Sequence, residues 1–427
     1  MKRLISAKLG WKTGTAIVIA NMIGAGVFTS LGYQLQDLQN NWTIILVWAL
    51  GGLIALSGAF SYAEVGTSIK ESGGEYIFLS KIFNPLIGYL SGWISLTVGF
   101  AAPIALSAIA FSKYSGIEFL DEKVLSILVI LFISIIHSIN SRTSVYFQNL
   151  STFLKVGLIV ILILCGLFID SSIVQQQNFS FNQVRIEVLS IPFAVALIYV
   201  SYSYTGWNAA SYIIQEFQNI KRDIPRALII GTAAVTILYV LLQYIFLKHA
   251  SHEELQGNVE VGAIAMRNMF GIKFGAWVNR GIALFLVSSI SAMVWVGPRV
   301  GQKMGEKYKL WEFLDSGNKI PVNAILFQSA LSIFMIISGT FEQILIYCGV
   351  LLTISSTLVV VGSLIIRYKN SYPNAYKSPF FPLFHLIFIS ISIWMVSFAW
   401  FDKPFECSIG LVNLIIGLGS FYIFKKV

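Results

Sequence analysis

The stretch Ile19–Gly32, "IANMIGAGVFTSLG", sits inside the first apolar run of the chain and puts glycines at positions 24 and 26. Glycine weakens a helix by about 1 kcal/mol against alanine. In hydrocarbon, every backbone group freed by a break carries a further cost of several kcal/mol. Two explanations compete. Small residues let neighbouring helices pack closely, or the helix is interrupted because the freed groups are used. A second weak point, Ile198–Asn208, "IYVSYSYTGWN", lies in the sixth apolar run, with Gly206 and Asn208 following a row of tyrosines and hydroxyl residues. Asn208 is a polar group in mid-run and needs a partner there.

The rest of the chain says what solvent these runs face. Of 427 residues, 56% are hydrophobic and 11% charged, and the mean hydropathy is +0.76. An ordinary soluble domain is about 25% charged, so the sequence predicts an all-α integral membrane protein. A span needs about 20 apolar residues. About twelve runs qualify: 13–33, 42–63, 85–112, 124–140, 149–169, 189–213, 227–247, 276–297, 320–339, 342–366, 380–401 and 405–424. Lysines and arginines concentrate in alternate connections, from Lys2, Arg3, Lys8 and Lys12 onward, which predicts both termini on the cytoplasmic side of a cell (plasma or inner) membrane. That distribution also accounts for the net charge of +9 without nucleic acid, since no basic run interleaved with aromatics is present. Cys165, Cys348 and Cys407 are far apart and suggest neither a disulfide framework nor a metal site. The basic N-terminal segment leads into a run that reads as a signal anchor rather than a cleaved leader. In the connection 248–275, "VEVGAIAMRNMFG" has helical spacing and is expected to form a short helix over the outer mouth.

Paired interruptions at matching positions of two halves point to the binding site of a secondary transporter. The first and sixth runs match if the chain holds two five-helix repeats, the second inverted. The N-terminus of a half-helix favours a carboxylate, and freed carbonyls favour an ammonium. Two breaks side by side therefore suit a zwitterion. Neither Gly24 nor Gly26 has a Cβ to obstruct a ligand carboxylate.

The residues also resemble a known family. "ANMIGAGVFTS" (20–30), "LIALSGAFSYAEVGTSIKESGGEYIFL" (53–79) and "YTGWNAASYIIQEFQNIKRDIPRALIIG" (204–231) are similar to motifs of amino acid permeases of the amino acid–polyamine–organocation superfamily, especially its L-type amino acid transporter branch. The resemblance covers roughly residues 10–370. It implies a LeuT-type fold with inverted five-helix repeats at 1–169 and 189–367, two further helices within 379–424, and alternating access. It places the substrate carboxylate on the backbone of Ile23, Gly24, Ala25 and Gly26, and the amine near carbonyls of the first helix and of Tyr202, Ser203 and Thr205. Tyr202 takes the position of the lid. Relatives that accept cations carry an acid just before the Gly-Trp pair; here that residue is Thr205, and no Asp or Glu occurs in 189–213. Residues 111–123 lack the cysteine that links L-type relatives to a glycoprotein heavy chain, so no such disulfide-linked partner is expected.

Among ionisable residues, Lys155 is the one basic residue inside a run. The resemblance puts its ammonium where sodium sits in sodium-coupled relatives, near the carbonyl of Ile23 and the hydroxyl of Ser288 or Ser289. The competing reading is snorkelling to the interface. Glu64 is expected to pair with Arg142 or Arg226 at an inner gate. Asn21 and Asn208 are expected to brace the breaks, Tyr62 and Trp207 to pack, and His137 and His385 to be hydrogen-bonded packing residues rather than proton relays. The sequence thus predicts a sodium-independent secondary transporter of neutral L-amino acids, an exchanger or a proton symporter, with no cofactor. A cationic amino acid or polyamine permease and a membrane amino acid sensor are the alternatives. No midplane cluster of His, Asp, Glu or Cys suits an enzyme.

Overall fold

The computed structural model describes residues 8–139, 142–170, 181–188, 190–315, 317 and 320–424, the side chains of 142–151 and 181 excepted. Among these residues the regular structure is helical, and a single parallel bridge joins Leu9 to Phe217. In chain order the helices are α1 (Trp11–Met22), α2 (Gly26–Thr29), α3 (Leu31–Gln34), α4 (Asn41–Ile69), α5 (Gly74–Ile82), α6 (Pro85–Ile94), α7 (Ala101–Ser115), α8 (Glu122–Ile139), α9 (Arg142–Phe168), α10 (Phe181–Glu187), α11 (Ile191–Ser203), α12 (Ile220–His249), α13 (His252–Leu255), α14 (Val261–Gly305), α15 (Val322–Ser338), α16 (Phe341–Tyr368), α17 (Leu383–Asp402) and α18 (Pro404–Ile423).

Among the described residues, eight helical stretches are long and apolar enough to cross a membrane: α4, α6 continued into α7 through a π-helical turn at Ser95–Gly99, α8, α12, α14, α16, α17 and α18. Three of the other four expected runs hold shorter helices, and the fourth, 149–169, falls on α9. The run 13–33 is split into α1, α2 and α3, and 189–213 supplies α11 followed by a 3₁₀ segment, Ala209–Glu216. The described apolar part of α9 is Thr152–Phe168, and α15 spans 17 residues. The run expected at 276–297 is part of a 45-residue helix, α14, bent at Gly271. That glycine has φ 78°, a conformation most side chains resist. The expected outer helix is thus the first part of α14, preceded by α13. Gly257 N–H donates to the Gly32 carbonyl at 2.9 Å, tying this connection to α3.

Sequence patterning explains which faces meet. α1 and α4 both pack on α12, and α7 packs on α14. Leu131, Phe132 and Ile135 of α8, Phe334 and Ile337 of α15, and Val412, Ile415 and Ile416 of α18 stay exposed. Apolar faces of that extent are costly in water and suit lipid.

Glu64 corrects one expectation. Its carboxylate accepts from Arg367 Nη1 at 2.9 Å and from Ser378 N–H at 3.1 Å. Arg226 instead lies over the Trp11 ring, and the Arg142 side chain is outside the described residues. The pair ties the end of α4 to the end of α16 and the connection behind it, across a sequence separation that no local pattern reveals. Arg367→Ala leaves a 3% exposed carboxylate without its cation. It is expected to lower thermal stability in detergent by about 2 kcal/mol, less than for a fully buried pair because the guanidinium is partly solvated. Adding Glu64→Gln should recover part of the loss; an unchanged melting temperature for Arg367→Ala would contradict the assignment.

Candidate functional site

The first break begins where α1 ends. Ile23 turns to ψ 91°, and helical geometry resumes at Ala25. Gly26–Gln34 then runs as α2 and α3 with Ser30 between them, still helical at φ −74°, ψ −18°. Carbonyls freed by the break and the short turns after it are satisfied by side chains from other elements. Tyr239 OH donates to Met22 O at 2.6 Å, Gln243 Nε2 to Val27 O at 2.8 Å and Tyr114 OH to Phe28 O at 2.7 Å. Ile23 O receives Lys155 Nζ at 3.4 Å, and the same ammonium donates to Ser289 Oγ at 2.7 Å. Lys155 is 2% exposed, so it points inward instead of snorkelling. Ser288 does not join it: the Ser288 hydroxyl is buried with no partner among the described residues.

The second break follows α11. Gly206 has φ 98°, and a Cβ there would lie 2.6 Å from the Asn21 carbonyl carbon and oxygen. The two interruptions therefore touch, backbone on backbone. Only glycine provides both the positive φ and the close approach. Asn21 does not bridge the breaks through its side chain; Nδ2 donates back along α1 to Ile17 O at 2.8 Å. Thr205 N–H and Oγ1 both donate to Tyr202 O, at 2.9 and 2.7 Å. That uses the two acceptor positions of a carbonyl expected to face an amine.

Ile23, Gly24, Ala25, Gly26, Tyr202, Ser203 and Thr205 all border one small space of about 30 Å³, together with Ser289. This is room for about one water. It adjoins a much larger cavity of about 1050 Å³, which Asn21, Tyr202, Thr205, Gly206 and Asn208 also line. The lining of that cavity also includes the exposed side chains of Lys12, Glu216 and Arg299 and the half-buried Leu9. The opposite face is shut. Tyr33 stacks on Phe341, and Tyr199 OH and Lys403 Nζ both donate to Glu342 Oε1, at 2.7 and 3.1 Å. Below them a buried chain runs Trp48 Nε1 to Gln34 Oε1 (2.9 Å), Gln34 Nε2 to Ser30 Oγ (3.3 Å), and Ser30 to Ser203 hydroxyl (3.0 Å).

Other expected residues have other places. Tyr62 packs edge-on to Trp207, and Trp207 also lines the cavity. His137 bonds Ser291 Oγ at 2.8 Å and His385 bonds Ser363 Oγ at 3.1 Å. Glu64, expected at a gate, lies outside the residues lining the cavity. Glu75 was missed from the sequence. It is 4% exposed yet lines the cavity, and Oε1 accepts from Tyr62 OH (2.5 Å) and Asn208 Nδ2 (3.2 Å) while Oε2 accepts from Ser355 Oγ (2.6 Å). Burial pushes its carboxyl above the usual carboxylate range, and the three donors pull it back. A carboxylate in the Gly-Gly-Glu-Tyr turn after an apolar span was its available signal.

A family described as amino acid permease matches residues 9–419. The chain belongs to the amino acid permease family. The permease is 28% identical over 425 residues to the human cystine/glutamate transporter, covering 96% of this chain and 84% of that one. It is 26% identical over 439 residues to the mouse b(0,+)-type amino acid transporter 1, covering 98% and 88%. With the rabbit large neutral amino acids transporter small subunit 2 the identity is 24% over 447 residues, covering 98% and 80%. The permease is thus a multi-pass membrane transporter for small-molecule substrates, not an enzyme.

Proposed function

We propose that this permease carries neutral L-amino acids by alternating access, without sodium, as an exchanger or a proton-coupled transporter of the cell membrane. Twelve spans form two inverted repeats, 1–169 and 189–367, followed by two helices within 379–424, with both termini cytoplasmic. The observation that carries the reading is the contact of Gly206 with the Asn21 backbone. It sets both interruptions against one cavity that opens on a single face. In this reading the substrate carboxylate meets the amides that open the helical segment at Ala25 and Gly26. The ammonium meets carbonyls of Ser203 and Thr205, and the Tyr202 ring covers it. Lys155 supplies a fixed cation against Ile23 O, a position that sodium would otherwise share. The basic Lys12 and Arg299 in the lining of the open cavity support a cytoplasmic placement of that face.

The acids at the cavity support a neutral side chain. Glu75 is buried and committed to three donors, while Glu216, the other acid of the lining, is exposed. A cationic side chain held beside the two breaks would find no acid but Glu75, already bonded to three donors, among the described lining residues that are buried. Counterflow of labelled neutral amino acids into proteoliposomes, with choline in place of sodium, tests the reading. Saturable uptake is expected. Absence of flux for every neutral amino acid overturns it, and strict sodium dependence reverses the coupling assignment. Thr205→Asp should raise lysine uptake about tenfold, the size of one charge-assisted contact. No gain in cation uptake would remove Thr205 as the selectivity position.

A further inference from the structure

Glu75 gathers parts of the fold that are distant in sequence. It lies on α5, while Tyr62 comes from α4, Asn208 from the connection below the second break and Ser355 from α16. Ser355 in turn bonds Ser91 of α6 at 2.8 Å. The segment starting at Asn208 is itself strapped to the N-terminal stretch. Leu9 N–H donates to Glu216 O at 2.8 Å, and Gln218 N–H to Leu9 O at 2.9 Å. The cavity-side halves of both interrupted runs are therefore one linked unit. Asn208 fastens that unit to Glu75, and through Glu75 to α4 and α16.

The titratable groups facing the carboxylate are the phenols of Tyr62, from α4, and Tyr212, from the 3₁₀ segment; α16 and α6 present the hydroxyls of Ser355 and Ser91. Lys307, in the connection after α14, lies over the ring of the next residue, Tyr76. An ionised carboxylate only accepts, so it can take all three donors at once. A protonated one must donate one bond, and the set that Tyr62, Asn208 and Ser355 make cannot persist unchanged.

The geometry points to Glu75 as a positioning residue that sets the opening of the cavity through its own protonation. Charged, it holds Asn208 and the linked unit in the open arrangement described above. Taking a proton from cavity water onto Oε1, the oxygen that Asn208 and Tyr62 share, removes an acceptor position there and, because the Asn208 amide Nδ2 cannot turn round to accept, loosens that hold and lets the unit swing shut; loss of the proton to water restores it. The proposal deepens the transport reading but is readable without it.

The test is a bimane fluorophore on Ala16→Cys, a cavity-wall position of α1 away from this network, in a chain whose three native cysteines are replaced. With Glu75 intact, the emission should shift to the blue as pH falls, in a single-proton step, as the cavity loses water. Glu75→Gln should hold the blue-shifted emission at every pH, and Glu75→Asp should keep a step. Tyr62→Phe and Ser355→Ala each remove one donor to the charged form and should move the midpoint upward by about one pH unit. Counterflow should follow the same midpoints. A wild-type emission that ignores pH, a Glu75→Gln chain that keeps the step, or donor variants that leave the midpoint in place would each overturn the proposal. If the emission step is present but no amino acid is exchanged, the transport reading fails and this one stands. If exchange occurs with a flat emission profile, the reverse holds.

Discussion

Gly26→Ala is expected to destabilise the permease and to reduce counterflow by about tenfold or more. At an ordinary helical glycine the same change would stabilise by about 1 kcal/mol. Here a Cβ would lie 2.6 Å from Ser203 Oγ and 2.7 Å from Ser203 Cα, so α11 must move away from α2. Overpacking of this kind costs about 1–3 kcal/mol. It also breaks the Ser30–Ser203 contact that closes the face opposite the cavity. Gly24 is the control. A Cβ there meets nothing nearer than Met22 O at 4.0 Å. Gly24→Ala should keep the melting temperature and lose substrate affinity, because the methyl enters the small space beside the amides. Thermal unfolding with and without substrate separates the two outcomes. A Gly26→Ala protein as stable and as active as the native one would remove the packing role of this glycine.

The contrast between these glycines marks the limit of what "IANMIGAGVFTSLG" shows by itself. Its composition reveals a break in a membrane run, and the matching "SYTGW" makes a pair of breaks. Both follow from local pattern, as do the apolar runs that became eight long helices. The sequence treats Gly24 and Gly26 alike, as room for a ligand. The structure gives Gly26 to helix packing and leaves only Gly24 open. Which one meets Ser203 depends on how α11 crosses α2, a tertiary fact. The same holds for the polar partners. Lys155 and Ile23 are 132 residues apart, and Glu75 and Ser355 are 280 apart. A motif resemblance supplied the first pair. No pattern supplied the second, and Glu75 reads locally as an ordinary acid in a turn after a span. Glu64 shows the same blindness, since two plausible arginines were nearer in sequence than Arg367, its actual partner.

Lys155→Met offers the sharpest separation of folding from transport. The substitution keeps an apolar stem of similar length and removes the ammonium. A buried cation is expensive to desolvate, and replacing one with a well-packed apolar group is often neutral or stabilising. No carboxylate touches Lys155; its described partners are the Ser289 hydroxyl and the Ile23 carbonyl. Stability should therefore change little, or rise. Transport should not survive as well. The ammonium joins α9, α14 and the end of α1, and hydrogen bonds to a charged group are worth about 1.5–3 kcal/mol. Losing them at the break corresponds to a fall in exchange of about tenfold to hundredfold. Ser289 Oγ already lies 3.5 Å from Ile23 O, but a neutral hydroxyl there is a weaker donor than the ammonium it would replace. Melting temperature and counterflow measured on the same preparation decide the point. A large drop in stability with a proportionate loss of flux would make Lys155 a structural brace. Undiminished exchange would mean that the break needs no cation at all. A stable protein that binds substrate but does not exchange it would place the ammonium in the moving step, where the end of α1 must leave and regain α14 in each cycle.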